Sequence, residues 1–425
     1  MRIQGTATLG TAQAMALAAA LGSATVYATW LDAAQLATWA LALGAGRAAQ
    51  LLVDGGLKAA LVRHPLGLHA DAAAQLTRWV LSAAAGLSCI TVLTAAWILS
   101  RGYAATAPNL LVAAAMVAYL VSHAVALVAL AWLERAGRFD RIGRIEGGAT
   151  VLEFALPALL LVAGLGWVPA LLAGLVLGRA VRALGIVLAA RGVGVLNGPG
   201  LAAAPWGDGL AMQAIAALAM LRDQQHLWLV APLFGTAWAG AYAFGLMACA
   251  LASQVAVATV SRVAVPALRP LSPRRRAVRA ARSLRLLALW ALPLLLLTWP
   301  LLQWADTAWW DGRWQLALAL LPGLVVRMAA GLPLAVLGPW LAVALPPWAA
   351  ARVHTRWTAA ELLLAGAALA WLGPAGLAVS WALGGALGTL LFMNALRPHG
   401  LGWFLGALKR LPNTGRQRWS MSTCS

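Results

Sequence analysis

The chain has 425 residues, of which 62% are hydrophobic and only 10% are charged. Soluble domains average about 45–50% apolar and about 25% charged residues. The composition therefore excludes a soluble enzyme, a secreted disulfide-rich domain and a disordered chain, because a soluble protein could not bury so much apolar surface. It indicates an all-α membrane protein. The formal net charge of +19 would suggest nucleic-acid binding in a soluble protein, whereas here it is typical of basic cytoplasmic loops.

Apolar stretches separated by charged or Gly/Pro-rich breaks predict twelve transmembrane helices, since a helix needs about 20 apolar residues to cross a bilayer. The predicted spans are residues 11–30, 35–62, 79–100, 109–133, 147–164, 169–190, 209–234, 237–263, 284–303, 315–345, 358–372 and 375–395. Span 315–345 contains Pro322, Pro333 and Pro339, so we expect it to bend or unwind. Span 358–372 is short. Residues 268–285 are expected to form the largest loop, a basic one.

The basic residues follow the predicted loops. With twelve spans, only Arg101 and Arg313 lie in loops of one side, and most of the 31 Lys+Arg lie on the other. This asymmetry obeys the positive-inside rule and predicts that both termini are cytoplasmic. It also argues against nucleic-acid binding, because the basic residues are spread over every second loop.

A faint internal repeat relates two segments. Ala37–Pro65 and Ala239–Pro266 both run through small residues and end in an Arg followed shortly by Pro. They fall in the second and eighth spans, and repeats of six spans are a known plan of transporters. We therefore predict a six-helix lobe over residues 1–200, a second over 201–400, and a basic cytoplasmic tail over 401–425.

Three arginines lie near the middle of predicted spans: Arg47, Arg222 and Arg327. A charge at the bilayer centre costs about 2.5–3.5 kcal/mol, so such residues tend to line cavities or to pair. Because the guanidinium fork matches phosphate oxygens, we predict that these three arginines bind an anionic substrate. The alternative is structural pairing, of Arg47 with Asp54 and of Arg222 with Asp223 or Glu153.

Further polar residues also fall inside spans. Residues 222–226 are five consecutive polar residues, among which Asp223 or His226 would carry a coupling proton or belong to a structural network. Asp54 is expected to pair with Lys58 one helical turn away. Arg179 and Arg182 share a helix face and are expected to extend toward the membrane surface.

No sequence motif points to catalysis. The chain has no hydrolase nucleophile motif, no nucleotide-binding loop and no zinc-ligand spacing. The predicted external loops are too short for the chemistry of a glycan polymerase. We therefore expect a protein without cofactor or metal that is not an enzyme.

Several stretches together resemble one family. Leu52–Arg63 (LVDGGLKAALVR) is similar to the end of the second helix in polysaccharide-biosynthesis flippases of the multidrug/oligosaccharidyl-lipid/polysaccharide exporter superfamily. Leu133–Phe139, Leu221–Tyr242 and Val263–Leu268 are similar to later parts of that family, and the resemblance covers about residues 10–395. The chain departs from it in length, since some members have fourteen spans, and in its high Ala and Trp content.

The resemblance implies two six-helix lobes around a central cavity with alternating access. It also implies an undecaprenyl-diphosphate-linked oligosaccharide as substrate, exported for O-antigen, lipopolysaccharide or exopolysaccharide biosynthesis. Expected partners are membrane lipids and other polysaccharide-assembly membrane proteins. The alternatives are a cation-coupled exporter of small amphipathic compounds, an integral-membrane polymerase or acyltransferase, and a membrane scaffold without transport activity.

Overall fold

The computed structural model describes residues 6–63, 70–100, 107–191 and 206–409, and this part of the chain contains helices and no strands. The helices are α1 (Thr6–Trp30), α2 (Ala33–Asp54), α3 (Leu57–Arg63), α4 (Ala70–Ser100), α5 (Ala107–Arg135), α6 (Phe139–Val162), α7 (Trp167–Ala190), α8 (Trp206–Asp223), α9 (Ala231–Phe234), α10 (Thr236–Leu268), α11 (Pro273–Trp309), α12 (Gln315–Ala344), α13 (Pro347–Leu372), α14 (Gly376–Leu396) and α15 (Leu401–Lys409). The predicted all-α class is confirmed.

Eight segments of the described ranges are long and apolar enough to cross a membrane. They include α2, α4, α5, α6, α7, α11 and α12, and the eighth runs through both α13 and α14. Helices α1, α8 and α10 fall outside this set. The protein is thus a multi-pass membrane protein, and the number of twelve spans stays a prediction.

The prediction of a single helix over 35–62 is wrong, because the chain breaks after Asp54. Gly55 and Gly56 have φ of +54° and +69°, a region that glycine adopts far more readily than other residues. A carboxylate oxygen of Asp54 then accepts a hydrogen bond of 3.1 Å from the backbone N–H of Lys58. This bond satisfies a donor in the first turn of α3, so the two helices join in a defined turn.

Three expectations for the second half are also corrected. Helix α12 continues through its prolines without unwinding, and α10, α11 and α14 pack against it, as is typical where proline is tolerated inside a membrane helix. Helix α13 begins at Pro347 and has 26 residues, so it is not short. The basic segment 268–285 is helical from Pro273 onward, since proline suits a first helical position and Ala and Arg are good helix formers.

The helix packing of the two halves is equivalent. In the first half α1 packs on α6, α2 on α5, α4 on α5, and both α5 and α6 on α7. In the second half α8 packs on α13, α10 on α12, α11 on α12, and both α12 and α13 on α14. The pattern repeats after six long helices. The predicted lobe boundary near residue 200 lies outside the described residues, as do residues 410–425 of the predicted tail.

The two halves touch near both ends of α2. At one end a Cβ on Gly56 would lie 2.0 Å from the carbonyl oxygen of Gly209. At the other end a Cβ on Gly240 would lie 1.9 Å from the carbonyl oxygen of Ala33. Close backbone approach therefore joins the halves at the Gly56 contact and the Gly240 contact, and the mid-helix residues of α2 lie between them.

Candidate functional site

The five consecutive polar residues of the second half lie at a break in their helix. Helix α8 ends at Asp223, and a π-helical turn follows over His226–Val230. π-Helical turns are frequent at functional sites because they rotate side chains out of the regular helix pattern. Asp223 is exposed, whereas the other four polar residues are buried: Arg222, Gln224, Gln225 and His226.

Arg222 and Arg327, two of the predicted substrate-binding residues, lie in the same cluster. The guanidinium of Arg222 lies 3.6 Å from the ring centroid of Trp357 and donates a hydrogen bond to the hydroxyl of Thr358. The guanidinium of Arg327 lies 3.6 Å from the ring centroid of Trp381. It also forms an ion pair of 3.2 Å with Asp223. Aromatic rings of α13 and α14 therefore hold both cations.

A buried carboxylate, Glu361, belongs to this cluster and was missed in the sequence. Gln225 donates a hydrogen bond of 3.2 Å to Glu361 and accepts one of 2.8 Å from the indole N–H of Trp381. A Cβ on Gly384 would lie 2.6 Å from Cγ of Glu361, so a glycine leaves room for the carboxylate. The signal was present, because Glu361 is the only acidic residue of α13.

His226 lies among aromatic rings in the same region. Its ring centroid is 6.5 Å from that of Tyr242 and 6.2 Å from that of Trp381. The Tyr242 hydroxyl donates to the carbonyl oxygen of Pro374 at 2.6 Å. His226 Nδ1 is buried without a hydrogen-bond partner among the described residues.

The first half contains a second cluster around Tyr119. Arg179 donates hydrogen bonds to the Tyr119 hydroxyl at 2.6 Å and to Glu153 at 2.9 Å. The side chain of Arg47 also interacts with this hydroxyl. One phenol therefore interacts with two guanidinium groups, and the Glu153 carboxylate pairs with one of them.

The expectation that Arg179 and Arg182 extend toward the membrane surface is wrong. Arg182 forms an ion pair of 2.8 Å with Glu146, as Arg179 does with Glu153. The side chains of both arginines are less than one fifth exposed. The reason is the packing of α6 against α7, which brings two carboxylates next to two guanidinium groups inside the protein.

Asp54 contacts His123 and the backbone of Lys58 rather than Arg47, the partner proposed for structural pairing. Its carboxylate lies 3.5 Å from Nε2 of His123. The ammonium of Lys58 lies 3.5 Å from Glu134, and Lys58 meets Asp54 through its backbone N–H. Arg47 is exposed.

The Arg47 face of α2 packs against the second half. Gly44 lies three residues before Arg47, and a Cβ there would be 3.1 Å from the side-chain oxygen of Gln224. Residues three apart share a helix face. Arg47 is therefore positioned about one helical turn from a residue of the Arg222 cluster, at the interface between the halves.

Comparison with known proteins gives a family and a fold. The sequence model of a family described as "polysaccharide biosynthesis protein" matches residues 31–305. A comparison with curated proteins finds no match. The solved structure of the lipid II flippase MurJ in an inward closed conformation has a TM-score of 0.56 at 12% identity, over 94% of this chain and 90% of that chain.

Two MATE transporters have similar folds. A mutant of the MATE transporter VcmN of Vibrio cholerae has a TM-score of 0.54 at 16% identity, over 94% of this chain and 97% of that one. The MATE multidrug transporter DinF-BH, solved as a ligand complex, has a TM-score of 0.50 at 12% identity, over 94% and 95%. These identities show the fold alone. The predicted recognition is confirmed: the chain belongs to the polysaccharide biosynthesis protein family and has the fold of the MurJ and MATE transporters.

Proposed function

We propose that the protein is a flippase that moves an undecaprenyl-diphosphate-linked oligosaccharide from the cytoplasmic to the outer leaflet of the bacterial inner membrane. Its two six-helix lobes would alternate in access, and the product would serve surface polysaccharide assembly, such as that of O-antigen or exopolysaccharide. Family and fold support a membrane flippase or exporter. The observation that carries the choice of an anionic substrate is the arginine pair Arg222 and Arg327, together with Arg47 at the interface between the halves.

The charges of these arginines favour a diphosphate. Arg222 donates to a neutral hydroxyl, and among the described residues no carboxylate forms an ion pair with it. Arg47 is exposed and contacts a phenol. Asp223 and Glu361 attract Arg222 without forming an ion pair with it, so we infer that both cations are available to a substrate anion. Guanidinium groups bind phosphate oxygens through two parallel hydrogen bonds.

The acidic residues have structural roles in this proposal. Glu153 balances Arg179, Asp54 orders the α2–α3 turn beside His123, and Asp223 orients Arg327. A membrane potential negative inside favours outward movement of an anion by about 2.3 kcal/mol per charge per 100 mV. Transport of a diphosphate therefore does not physically require coupling to a second ion.

Reconstitution tests the activity directly. The purified protein is placed in vesicles that contain a fluorescent lipid-linked oligosaccharide, and a membrane-impermeant reductant then bleaches the outer leaflet. A flippase exposes the inner-leaflet molecules, so bleaching becomes nearly complete, whereas protein-free vesicles keep the inner fraction. Equal bleaching in both kinds of vesicle would contradict the proposal.

A deletion strain separates the flippase from a membrane enzyme. If the protein is a flippase, complete lipid-linked units accumulate on the cytoplasmic leaflet. If it is a polymerase, single units instead appear outside the membrane without being joined. Finding outside-facing single units would favour the enzyme.

Glu361 favours a second candidate, a cation-coupled exporter of small amphipathic compounds. A buried carboxylate in a fold shared with MATE transporters is a group that can exchange a proton. Vesicles loaded with a fluorescent organic cation test this candidate. Efflux that is driven by a pH gradient and abolished by Glu361→Gln would support this candidate. Efflux that depends neither on the pH gradient nor on Glu361 would exclude it.

A further inference from the structure

A long apolar groove lies on the surface of the first half, away from the Arg222 cluster. It has a volume of about 850 Å³ and runs between α4, α5 and α7. Most of its described lining residues belong to α5, five belong to α7, and Val92 is the one from α4. Representative lining residues are Val92, Leu110, Val117, Val125, Val176 and Leu184.

The shape of the groove suits a linear hydrocarbon chain. From Leu110 to Val125 it follows fifteen residue steps of α5, which is about 22 Å at 1.5 Å per residue. That length is a large part of the hydrocarbon core of a bilayer, which is about 30 Å thick. Helix α4 packs on α5, and its Ile90, Val92 and Leu93 are 60%, 56% and 68% exposed, so no described part of the chain covers these side chains.

One cation interrupts the apolar lining. Arg179 borders the groove, and its Nε is buried without a hydrogen-bond partner among the described residues. Its guanidinium also donates a hydrogen bond of 2.6 Å to the Tyr119 hydroxyl, which interacts with Arg47 as well. Arg179 and Tyr119 therefore connect the groove to an arginine that the proposed function assigns to the diphosphate.

We propose that this groove binds the single polyprenyl chain of the substrate, with the anionic head group on the side of Arg179 and Arg47. The inference rests on the proposed function, because it takes its occupant from that substrate. An apolar chain gains no hydrophobic free energy by leaving lipid for an apolar groove. Selectivity therefore comes from close packing along the groove and from the attraction between the head group and Arg47, since Glu153 already balances the charge of Arg179.

Photo-crosslinking tests the site in the full-length protein in lipid nanodiscs. The probe is a polyprenyl diphosphate that carries a diazirine on its chain, and mass spectrometry locates the adducts. We expect adducts on groove residues of α5 and α7. An excess of unlabelled polyprenyl diphosphate should reduce them at least fivefold, whereas an equal excess of phosphatidylglycerol should not.

A matched pair of variants provides the control. Ala180→Trp fills the groove from α7, while Ala386→Trp adds the same side chain at an exposed position of α14, the equivalent helix of the second half. We expect labelling to fall at least fivefold in the first variant and to be unchanged in the second, with similar melting temperatures. Unchanged labelling in Ala180→Trp, adducts spread over all lipid-facing helices, or equal competition by phosphatidylglycerol would each overturn the inference.

The outcomes also separate this inference from the proposed function. The preparation could still flip the fluorescent substrate while the adducts that unlabelled polyprenyl diphosphate reduces all lie in another part of the protein. That result would reject the groove as the binding site but would not contradict the proposed flippase function. If the preparation neither flips the substrate nor gives competed adducts anywhere, the proposed function itself fails.

Discussion

The arginines inside the helices are held in two different ways. Arg179 and Arg182 pair with buried carboxylates, whereas Arg222 and Arg327 lie against tryptophan rings. The carboxylate that pairs with Arg327, that of Asp223, is exposed. A cation that is paired with a carboxylate away from water depends on its partner for stability, because removal of the partner leaves a charge without compensation. The two kinds of environment therefore predict different consequences of mutation.

Glu153→Gln should destabilise the protein strongly, because it leaves Arg179 without its carboxylate. Breaking a buried pair in this way costs about 3–5 kcal/mol, so we expect a clearly lower melting temperature in detergent. Arg144→Ala is the control. It removes the exposed partner of Asp140 in a surface pair of 3.3 Å, which is worth at most about 1 kcal/mol.

The double variant Glu153→Gln/Arg179→Gln completes this experiment. It removes both charges, so it should recover part of the lost stability. A single Glu153→Gln variant that melts like the Arg144→Ala control would show that the pair does not stabilise the fold.

The sequence predicted two of the buried charges, Arg222 and Arg327, but not the contacts that hold them. Hydropathy alone identifies Arg222 and Arg327, since each interrupts an apolar span. The partners depend on the rotation and neighbours of each helix: Arg222 contacts Thr358, which is 136 residues away. Glu361 was missed because α13 was predicted to start eleven residues too late, which placed this carboxylate near a helix end.

At the scale of elements, glycines lie at the break between α2 and α3 and at the two close contacts between the halves. Gly56 combines a positive φ with contact to Gly209, and Gly240 contacts the backbone of Ala33. A run of polar and small residues does not reveal a break by itself, so the α2–α3 turn was predicted as continuous helix. The prolines of α12 led to the opposite error, because a break was predicted where the structure has a continuous helix. Packing by neighbouring helices preserves a helix that the local sequence would interrupt.

Gly240→Ala should weaken the contact between the halves. Its Cβ would overlap the carbonyl oxygen of Ala33, and overpacking of this kind costs about 1–3 kcal/mol. Gly86→Ala in α4 is the matched control, because a Cβ there meets nothing within 4 Å. It should be neutral or stabilising by up to about 1 kcal/mol, since alanine favours helix. Thermal unfolding in detergent measures both, and equal melting temperatures would contradict the close contact.

At the scale of the whole molecule, the twofold pattern of helix packing agrees with the faint repeat in the sequence. The family and the MurJ/MATE-like fold were recognisable from motifs in order along the chain, and both are confirmed. The number of spans and the orientation depend on the bilayer as well as on the chain. They follow so far only from hydropathy and from the distribution of basic residues.

Reporter fusions test the orientation. Fusions after Gly166, between α6 and α7, and after Gly312, between α11 and α12, should give periplasmic activity. Fusions after Ser272, before the basic start of α11, and after Lys409 should give cytoplasmic activity. A cytoplasmic signal after Gly312 would break the twelve-span topology.

The central claim is that arginines inside the protein bind the anionic group of a lipid-linked substrate. The flipping rate in vesicles tests it, measured for Ala and Lys variants of Arg47, Arg222 and Arg327 at equal amounts of folded protein. We expect each Ala variant to lose at least tenfold in rate and each Lys variant to keep part of it, because a point charge still attracts phosphate without the paired hydrogen bonds. Arg274→Ala, at an exposed position of α11, should flip at the normal rate. Normal rates in the Ala variants at all three positions would contradict the claim.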